Sequence, residues 1–254
     1  VAIKIIKEEC LNKPESIIRF ENEARFSSAL NHPNIVKIFN YSEYKNLPFI
    51  VNEYIKGRTL KEYLDVKKSF SVKETCHIML ELCDALMYIH NKGIIHRDIK
   101  PQNIFYDSNG EVKLADFGIS FLLNSNLNVN ENKRVMGTAE YMAPEIIRGK
   151  SPSSQSDVYA LGVTFYELIT GCVPFDGETP SIIAKMQINE DMPSPKKIIP
   201  STPNEVCNVI IKATSKDLET RYKNAGEMKE DLLLIYNNKK ITNKGVSLFK
   251  KIFG

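Results

Sequence analysis

The stretch IIHRDIKPQNIF, residues 94–105, brings an acidic residue, a lysine and an amide close together in the chain. Asp98, Lys100 and Asn103 fall between two β-like runs, IIH and NIFYD, so we expect them on one loop. The next run, EVKLADFG, delivers a second carboxylate, Asp116, to another loop. Mg²⁺ takes a few oxygen ligands together with substrate phosphates. The set therefore predicts a metal-phosphate site, where catalysis rests on positioning and charge neutralisation.

The composition is that of an ordinary globular protein. Of 254 residues, 43% are hydrophobic, and 34 Lys and Arg are balanced by 31 Asp and Glu, for a net charge of +3. We expect no nucleic-acid partner, because phosphate-backbone binding needs a concentrated basic face. The longest apolar stretches, such as 160–171, are shorter than the roughly 20 residues of a membrane helix. Five cysteines without a C-x-x-C pair favour reduced core residues and a cytoplasmic location.

The pattern of apolar residues divides the chain into two lobes, an α+β architecture. Residues 1–55 contain strand-like runs around one helix and form a small β-rich lobe. Residues 56–237 are mainly helical and form a larger lobe. The segment 238–254 is a basic tail, which we interpret as a solvated linker or, alternatively, as a helix that binds a membrane surface or a partner.

Apolar positions at three- and four-residue spacing predict a long helix after Ser71, with Ser71 as its N-cap and Gly93 as its stop. A second helix follows the serine cluster at 153–156 and ends at Gly171. It is apolar nearly all round, which predicts a helix at the centre of its lobe. Further helices are predicted at residues 180–189, 203–215 and 225–236.

Four motifs occur in order along the chain: VAIK at 1–4, HRDIKPQN at 96–103, DFG at 116–118 and APE at 143–145. With them the sequence resembles the eukaryotic-type protein kinase family, from residue 1 to about residue 236. The resemblance implies a bilobal kinase fold, ATP and Mg²⁺ as substrate and cofactor, and protein substrates. The run GRTLKEYL and the compact catalytic motifs also look like the bacterial members of the family.

Residue by residue, the resemblance assigns a role to each predicted site residue. Asp98 would accept the proton of the attacking hydroxyl, and Lys100 would neutralise the γ-phosphate. Asn103 and Asp116 would ligate Mg²⁺. Lys4 would hold the α- and β-phosphates of ATP.

The resemblance also implies residues that complete the nucleotide site. Glu23, in the helix before LNHPNIVKI, would pair with Lys4, although it could instead be a solvent-facing helix glutamate. The adenine would meet the backbone of a hinge at Glu53, Tyr54 and Ile55. Asn52, just before the hinge, is polar where the family usually has an apolar or Thr side chain.

Two positions favour the serine/threonine branch of the family over the tyrosine branch. Lys100 follows Asp98 at a position where tyrosine kinases tend to carry other residues. Thr138, in GTAEYMAPE, looks like the threonine whose hydroxyl meets the catalytic Asp and Lys in the serine/threonine branch. We therefore predict Ser and Thr hydroxyls of proteins as acceptors.

Other positions resemble the scaffold of the family. Asp157 looks like the aspartate that holds the backbone of the HRD motif from the central helix. Glu145 and Arg221 look like a buried ion pair that ties the APE motif to a late helix. Both features would act through folding rather than through the chemistry itself.

The chain departs from the family pattern at its beginning, because no Gly-rich phosphate-covering loop precedes VAIK. We expect about 20 to 40 further residues before Val1, an exposed edge and apolar face on the small sheet, and weak or no ATP binding by residues 1–254 alone. Membrane contact is expected only through the tail or through segments outside these residues.

Two alternatives to a protein kinase stay open at this stage. The missing loop and polar substitutions are compatible with a catalytically silent kinase-like binding module, although Asp98, Asn103 and Asp116 are all present. A small-molecule phosphotransferase would share the acidic site, yet it would not need the APE segment or Thr138.

Overall fold

The computed structural model describes residues 1–107, 109–116 and 139–237, without the side chains of Glu15, Arg19, Glu23 and Phe26. Thr138 and the tail at 238–254 lie outside the described residues. The predicted bilobal kinase-like α+β fold is confirmed. A small antiparallel sheet with two helices forms one lobe, and a larger helical lobe follows it.

The small lobe is built on a three-stranded antiparallel sheet in the order β1-β3-β2. The strands are β1 (Ala2–Ile5), β2 (Ile38–Tyr44) and β3 (Leu47–Asn52), and the helices are α1 (Glu8–Leu11) and α2 (Pro14–Ser28). Helix α2 packs on one face of the sheet. The core of this lobe consists of Ile6, Phe20, Ala24, Ile38 and Ile50.

The other face of the small sheet is open and apolar, as expected. Within the described part of the chain, β1 pairs only with β3, so it is an edge strand. The outward side chains Ile3 and Ile5 are 60% and 59% exposed. An edge strand with exposed apolar side chains is a surface on which other chain segments pair and pack.

The large lobe contains a second small sheet and seven helices in the described ranges. The sheet has the order β4-β5-β6, with β4 (Gly57–Thr59), β5 (Ile104–Asp107) and β6 (Val112–Leu114). The helices are α3 (Leu60–Lys67), α4 (Val72–His90), α5 (Pro144–Ile147), α6 (Ser154–Thr170), α7 (Pro180–Asn189), α8 (Asn204–Ala213) and α9 (Ala225–Tyr236). None of them is both long and apolar enough to span a bilayer.

The two predicted long helices are confirmed, together with their end signals. Ser71 caps α4 through a reciprocal pair of hydrogen bonds with Glu74. Residues 156–170 of α6 are all buried, as predicted for a central helix. Gly171 ends α6 with φ of 84°, and a Cβ there would lie 2.2 Å from the Lys68 carbonyl oxygen, so only glycine fits.

The predicted β-like run IIH is wrong, because residues 94–96 form no strand. Their backbone groups find partners outside any sheet. The Ile94 N–H donates to the Ile89 carbonyl at the end of α4, and the His96 N–H donates to the Asp157 carboxylate. A β propensity read from local residues is overridden when such partners are at hand.

The interpretation of all five cysteines as core residues is wrong at one position. Cys76, Cys83 and Cys207 are buried and Cys10 is partly buried, whereas Cys172 is exposed. Cys172 directly follows Gly171, where the chain leaves the central helix and turns to the surface.

The ammonium of Lys216 lies against two aromatic rings, and its lowered pKa makes the free energy of unfolding depend on pH. Its ammonium lies 5.2 Å from the centre of the Tyr159 ring and 4.9 Å from that of Phe175. Burial, and next the charge of Arg221, lower the pKa of Lys216 to about 8. Between about pH 8 and 10.5 the unfolded chain therefore holds a proton that the folded chain has released.

Because the unfolded state binds more protons in this window, the free energy of unfolding should rise with pH there. We expect the stability of the wild-type protein relative to Lys216→Met to increase between about pH 8 and 10 and to stay level below pH 7. Urea unfolding of both proteins at each pH measures this difference. A difference that stays flat across the window would contradict the lowered pKa.

Candidate active site

The carboxylate of Asp98 is held from two sides by neighbouring side chains. Lys100 Nζ lies 2.7 Å from Asp98 Oδ1, and Asn103 Nδ2 donates to Asp98 Oδ2 at 2.8 Å. Asn103 Nδ2 also donates to the Asp98 carbonyl at 2.8 Å, which closes the loop on itself. Asp98 and Lys100 remain partly accessible, with side chains 22% and 16% exposed. The loop thus presents one oriented carboxylate beside one ammonium.

The second predicted loop lies next to the first because β5 and β6 are adjacent strands. Asn103 precedes β5 and Asp116 follows β6, and antiparallel pairing brings these two ends together. The Ala115 N–H donates to the Asn103 carbonyl at 2.9 Å. The structure therefore places Asp98, Lys100, Asn103 and Asp116 in one region.

Lys4 reaches this region from the small lobe. Its Nζ lies 2.6 Å from Asp116 Oδ1, across a sequence separation of 112 residues. Both side chains are accessible, at 35% for Lys4 and 52% for Asp116. The pair joins β1 of the small lobe to the end of β6 in the large lobe. The position of the Glu23 side chain lies outside the described residues, so its pairing with Lys4 stays a prediction.

Asp157, on α6, anchors the backbone that precedes Asp98, as the resemblance implied. Its Oδ1 accepts from the Arg97 N–H at 2.9 Å, and its Oδ2 accepts from the His96 N–H at 2.8 Å and from His90 Nε2 at 2.8 Å. Arg97 has φ of 72°, which a side chain with a Cβ adopts at an energetic cost. The buried carboxylate holds this conformation immediately before Asp98.

His96 stabilises the same turn as a neutral ring. The Asp98 N–H donates to its Nδ1 at 3.3 Å, so Nε2 carries the proton and donates to the Ala115 carbonyl at 3.2 Å. Complete burial lowers the pKa of His96, against the opposing charges of Asp157 and Asp98. A neutral, buried imidazole that connects the two loops is a structural group here.

Replacing Asp157 with Asn should loosen the catalytic loop. One carboxylate oxygen becomes an NH₂ group, which leaves the N–H of Arg97 or His96 buried without an acceptor. Such a loss costs about 1 to 3 kcal/mol. We expect the midpoint of thermal unfolding to be lower than that of the wild-type protein. An unchanged midpoint would show that the hydrogen bonds from the Arg97 and His96 N–H groups to Asp157 do not stabilise the fold.

The side chain of the predicted hinge residue Glu53 binds other residues of the protein. Its carboxylate binds Lys113 Nζ of β6 at 2.7 Å and accepts from the Lys37 N–H at 3.2 Å. The side chain therefore holds the hinge to the large lobe, and adenine contacts there would come from the backbone. Tyr54 is exposed and Ile55 is partly buried. Sequence reasoning missed Lys113, because nothing local to KLADFG marks it as a partner of the hinge.

The donor set fits a magnesium ion bound together with phosphates. The amide nitrogen of Asn103 donates to Asp98, and this orientation leaves its Oδ1 as the atom that can ligate a cation. Asp116 contributes an accessible carboxylate. Hard oxygen ligands of this type, few in number, are what Mg²⁺ uses in phosphate sites.

A pocket adjoins the catalytic loop on the side of the APE motif. Its lining includes Arg97, Asp98 and Ile99 together with Tyr141, Met142 and Ala143. Ile146, Pro152 and residues of α6 complete the lining. Residues 141–143 and Asp98 thus line the same pocket.

The APE motif is fixed by the predicted ion pair. Arg221 Nη1 lies 2.7 Å from Glu145 Oε1, and Nη2 donates to Oε2 at 3.0 Å. Arg221 is 1% and Glu145 5% exposed, so the pair is fully enclosed. Arg221 also donates to the carbonyls of Ser215 and Gln155, so four of its five N–H groups have acceptors among these residues.

Comparison with known proteins identifies the family. Residues 1–234 match the family model described as "Protein kinase domain". The chain belongs to the protein kinase family. The four motifs that carried the resemblance lie within this match, so the predicted kinase domain is confirmed.

The kinase domain is similar to bacterial serine/threonine kinases. It is 41% identical over 244 residues to serine/threonine-protein kinase PrkC of Bacillus subtilis, covering 96% of this chain and 38% of PrkC. It is 37% identical over 242 residues to serine/threonine-protein kinase PknB of Mycobacterium tuberculosis, covering 93% of this chain and 39% of PknB. A probable PknB from Lactococcus lactis is 39% identical over 232 residues, 91% of this chain and 37% of that protein. The chain thus spans under two fifths of these relatives.

Proposed function

We propose that this kinase domain transfers the γ-phosphoryl group of ATP to Ser and Thr hydroxyls of protein substrates. The observation that supports the proposal is the Asp98 carboxylate, which Lys100 and Asn103 orient on a loop whose Asn103 carbonyl accepts from the Ala115 N–H, directly before Asp116. The names of the similar bacterial proteins support serine/threonine acceptors. ATP, Mg²⁺ and protein substrates follow as proposals from the family.

In the proposed reaction, the acceptor hydroxyl oxygen attacks the γ-phosphorus and the bond from that phosphorus to the β,γ-bridging oxygen breaks. ADP leaves with the bond electrons, and Asp98 takes the hydroxyl proton. Lys100, 2.7 Å from Asp98, supplies positive charge where the transferred phosphoryl group carries negative charge. Asn103 keeps the Asp98 carboxylate pointed at the hydroxyl.

Lys4 and Asp116 form the nucleotide end of the proposed site. Lys4 is proposed to bind the α- and β-phosphates, and Asp116 and Asn103 to ligate Mg²⁺. The cation, when bound, neutralises charge on the phosphates. The backbone at Glu53 and Ile55 is proposed to receive the adenine. The proposed roles of Glu23 and Thr138 concern groups outside the described residues.

The alternative of a silent kinase-like module is not favoured. It rested on the missing Gly-rich loop and on polar substitutions such as Asn52. Asp98, Asn103 and Asp116 are all present, and the similar proteins are named kinases.

A cytoplasmic location also remains a proposal, supported by the use of ATP and by the reduced cysteines.

A labelled transfer assay tests the proposal. The protein produced from its intact gene is incubated with γ-labelled ATP, Mg²⁺ and casein as acceptor, followed by phosphoamino-acid analysis. We expect label on phosphoserine and phosphothreonine, and loss of labelling when EDTA removes the cation. Label on phosphotyrosine alone, or no label at all, would overturn the proposal.

A further inference from the structure

A row of hydrogen bonds connects Lys216, in the loop after α8, to Glu140, three residues before the APE motif. Lys216 Nζ donates to the Tyr159 hydroxyl at 2.9 Å. The Tyr159 hydroxyl donates to Gln187 Oε1, and Gln187 Nε2 donates to the Glu140 carbonyl. The row runs from the loop after α8, through α6 and α7, to the segment 139–143.

The central members of this row are completely enclosed. Gln187 and Tyr159 are both 0% exposed, so their polar groups depend on one another for partners. The Tyr159 hydroxyl fixes which end of the Gln187 amide faces α6, and the NH₂ end is then directed at Glu140. The Tyr159 ring is itself held, because the Arg221 guanidinium lies 4.9 Å from its centre.

The residues that directly follow Glu140 line the pocket that also contains Asp98. Tyr141, Met142 and Ala143 line that pocket together with Arg97, Asp98 and Ile99. Tyr141 is anchored separately, through a hydrogen bond from its hydroxyl to Glu167. Because Asp98 and residues 141–143 line one pocket, we expect the polypeptide of an acceptor that reaches Asp98 to lie next to residues 141–143. The Glu140 carbonyl is the backbone group immediately before these residues.

We propose that Gln187 is a positioning residue for the protein acceptor, which it serves by fixing the segment 139–143 through the Glu140 carbonyl. Tyr159 and Lys216 orient the Gln187 amide for this task. The inference rests on the proposed kinase activity and adds a determinant of acceptor binding. The expected effect is on acceptor binding and not on nucleotide binding, since none of the described hydrogen bonds joins Gln187 to Lys4 or Asp116.

The test uses Gln187→Met, which keeps the side-chain length and removes both hydrogen bonds. We expect the KM for casein to rise on the order of 10-fold, while kcat and the affinity for a fluorescent ATP analogue stay near wild type. Tyr159→Phe keeps the ring between its cations and removes only the hydroxyl, so it should raise the same KM by a smaller factor. This second variant carries the test if Gln187→Met does not fold.

Gln155→Met is a matched control. Gln155 also donates from its amide to two backbone carbonyls, those of Leu218 and Tyr222, away from the segment 139–143. It should leave the KM for casein unchanged. The inference would be overturned if Gln187→Met kept the wild-type KM for casein, or if the KM for casein rose equally in all three variants. It would also be overturned if binding of casein and of the ATP analogue weakened equally. Absence of transfer by the wild-type protein would instead overturn the proposed function.

Discussion

Replacing Asp98 with Asn should lower the rate of phosphoryl transfer by about 10²- to 10⁴-fold. An amide cannot take the proton of the attacking hydroxyl at neutral pH. It also directs an NH₂ group at the Lys100 ammonium or at the Asn103 amide, both of which now donate to the carboxylate. Initial rates with Mg-ATP and casein measure the effect.

Asp65→Asn is the control for the Asp98 substitution. Asp65 is an exposed aspartate on α3 that pairs with Lys61 at 3.7 Å, so its replacement should leave the rate unchanged. The thermal midpoint of Asp98→Asn should stay within a few degrees of wild type, because the carboxylate is partly solvated. A variant that keeps the wild-type rate would remove Asp98 from the mechanism.

Replacing Arg221 with Met should destabilise the large lobe by about 3 to 5 kcal/mol. The substitution leaves the Glu145 carboxylate buried at 5% exposure without its bidentate partner. It also removes the donors to Ser215 and Gln155. Urea unfolding measures this loss of stability. The transition is followed by far-ultraviolet circular dichroism, because the chain has no Trp for a fluorescence signal.

The double variant Glu145→Gln with Arg221→Met separates charge burial from packing. With no isolated charge left inside, we expect it to be more stable than Arg221→Met alone. As a control, Lys223→Met breaks an accessible pair with Glu219, whose side chain is 84% exposed, and should cost less than about 1 kcal/mol. Equal losses from Lys223→Met and Arg221→Met would contradict the importance of burial.

Much of the fold could be predicted because its signals are local. The helix after Ser71 follows from apolar spacing and from a cap made by residues three apart. The helices at 180–189 and 225–236 begin and end at the predicted residues. The motifs around Asp98 and Asp116 located the candidate site from the sequence. In the structure, the antiparallel pairing of β5 with β6 brings the start of β5 next to the end of β6 and so joins these two motifs.

The features that could not be predicted depend on distant partners. IIH has local β propensity, yet its backbone bonds to Asp157, sixty-one residues away, rather than to a strand. The contacts of Glu53 with Lys113 and of Gln187 with Tyr159 likewise join segments that meet only after folding. Spacing along the chain carries no information about such pairs.

The most direct test of the account compares wild type, Asp98→Asn and Asp65→Asn in one transfer experiment with γ-labelled Mg-ATP and casein. The account predicts phosphoserine and phosphothreonine from wild type and Asp65→Asn, and at least about 10²-fold less from Asp98→Asn. Equal labelling by all three proteins, or none by wild type, would contradict it.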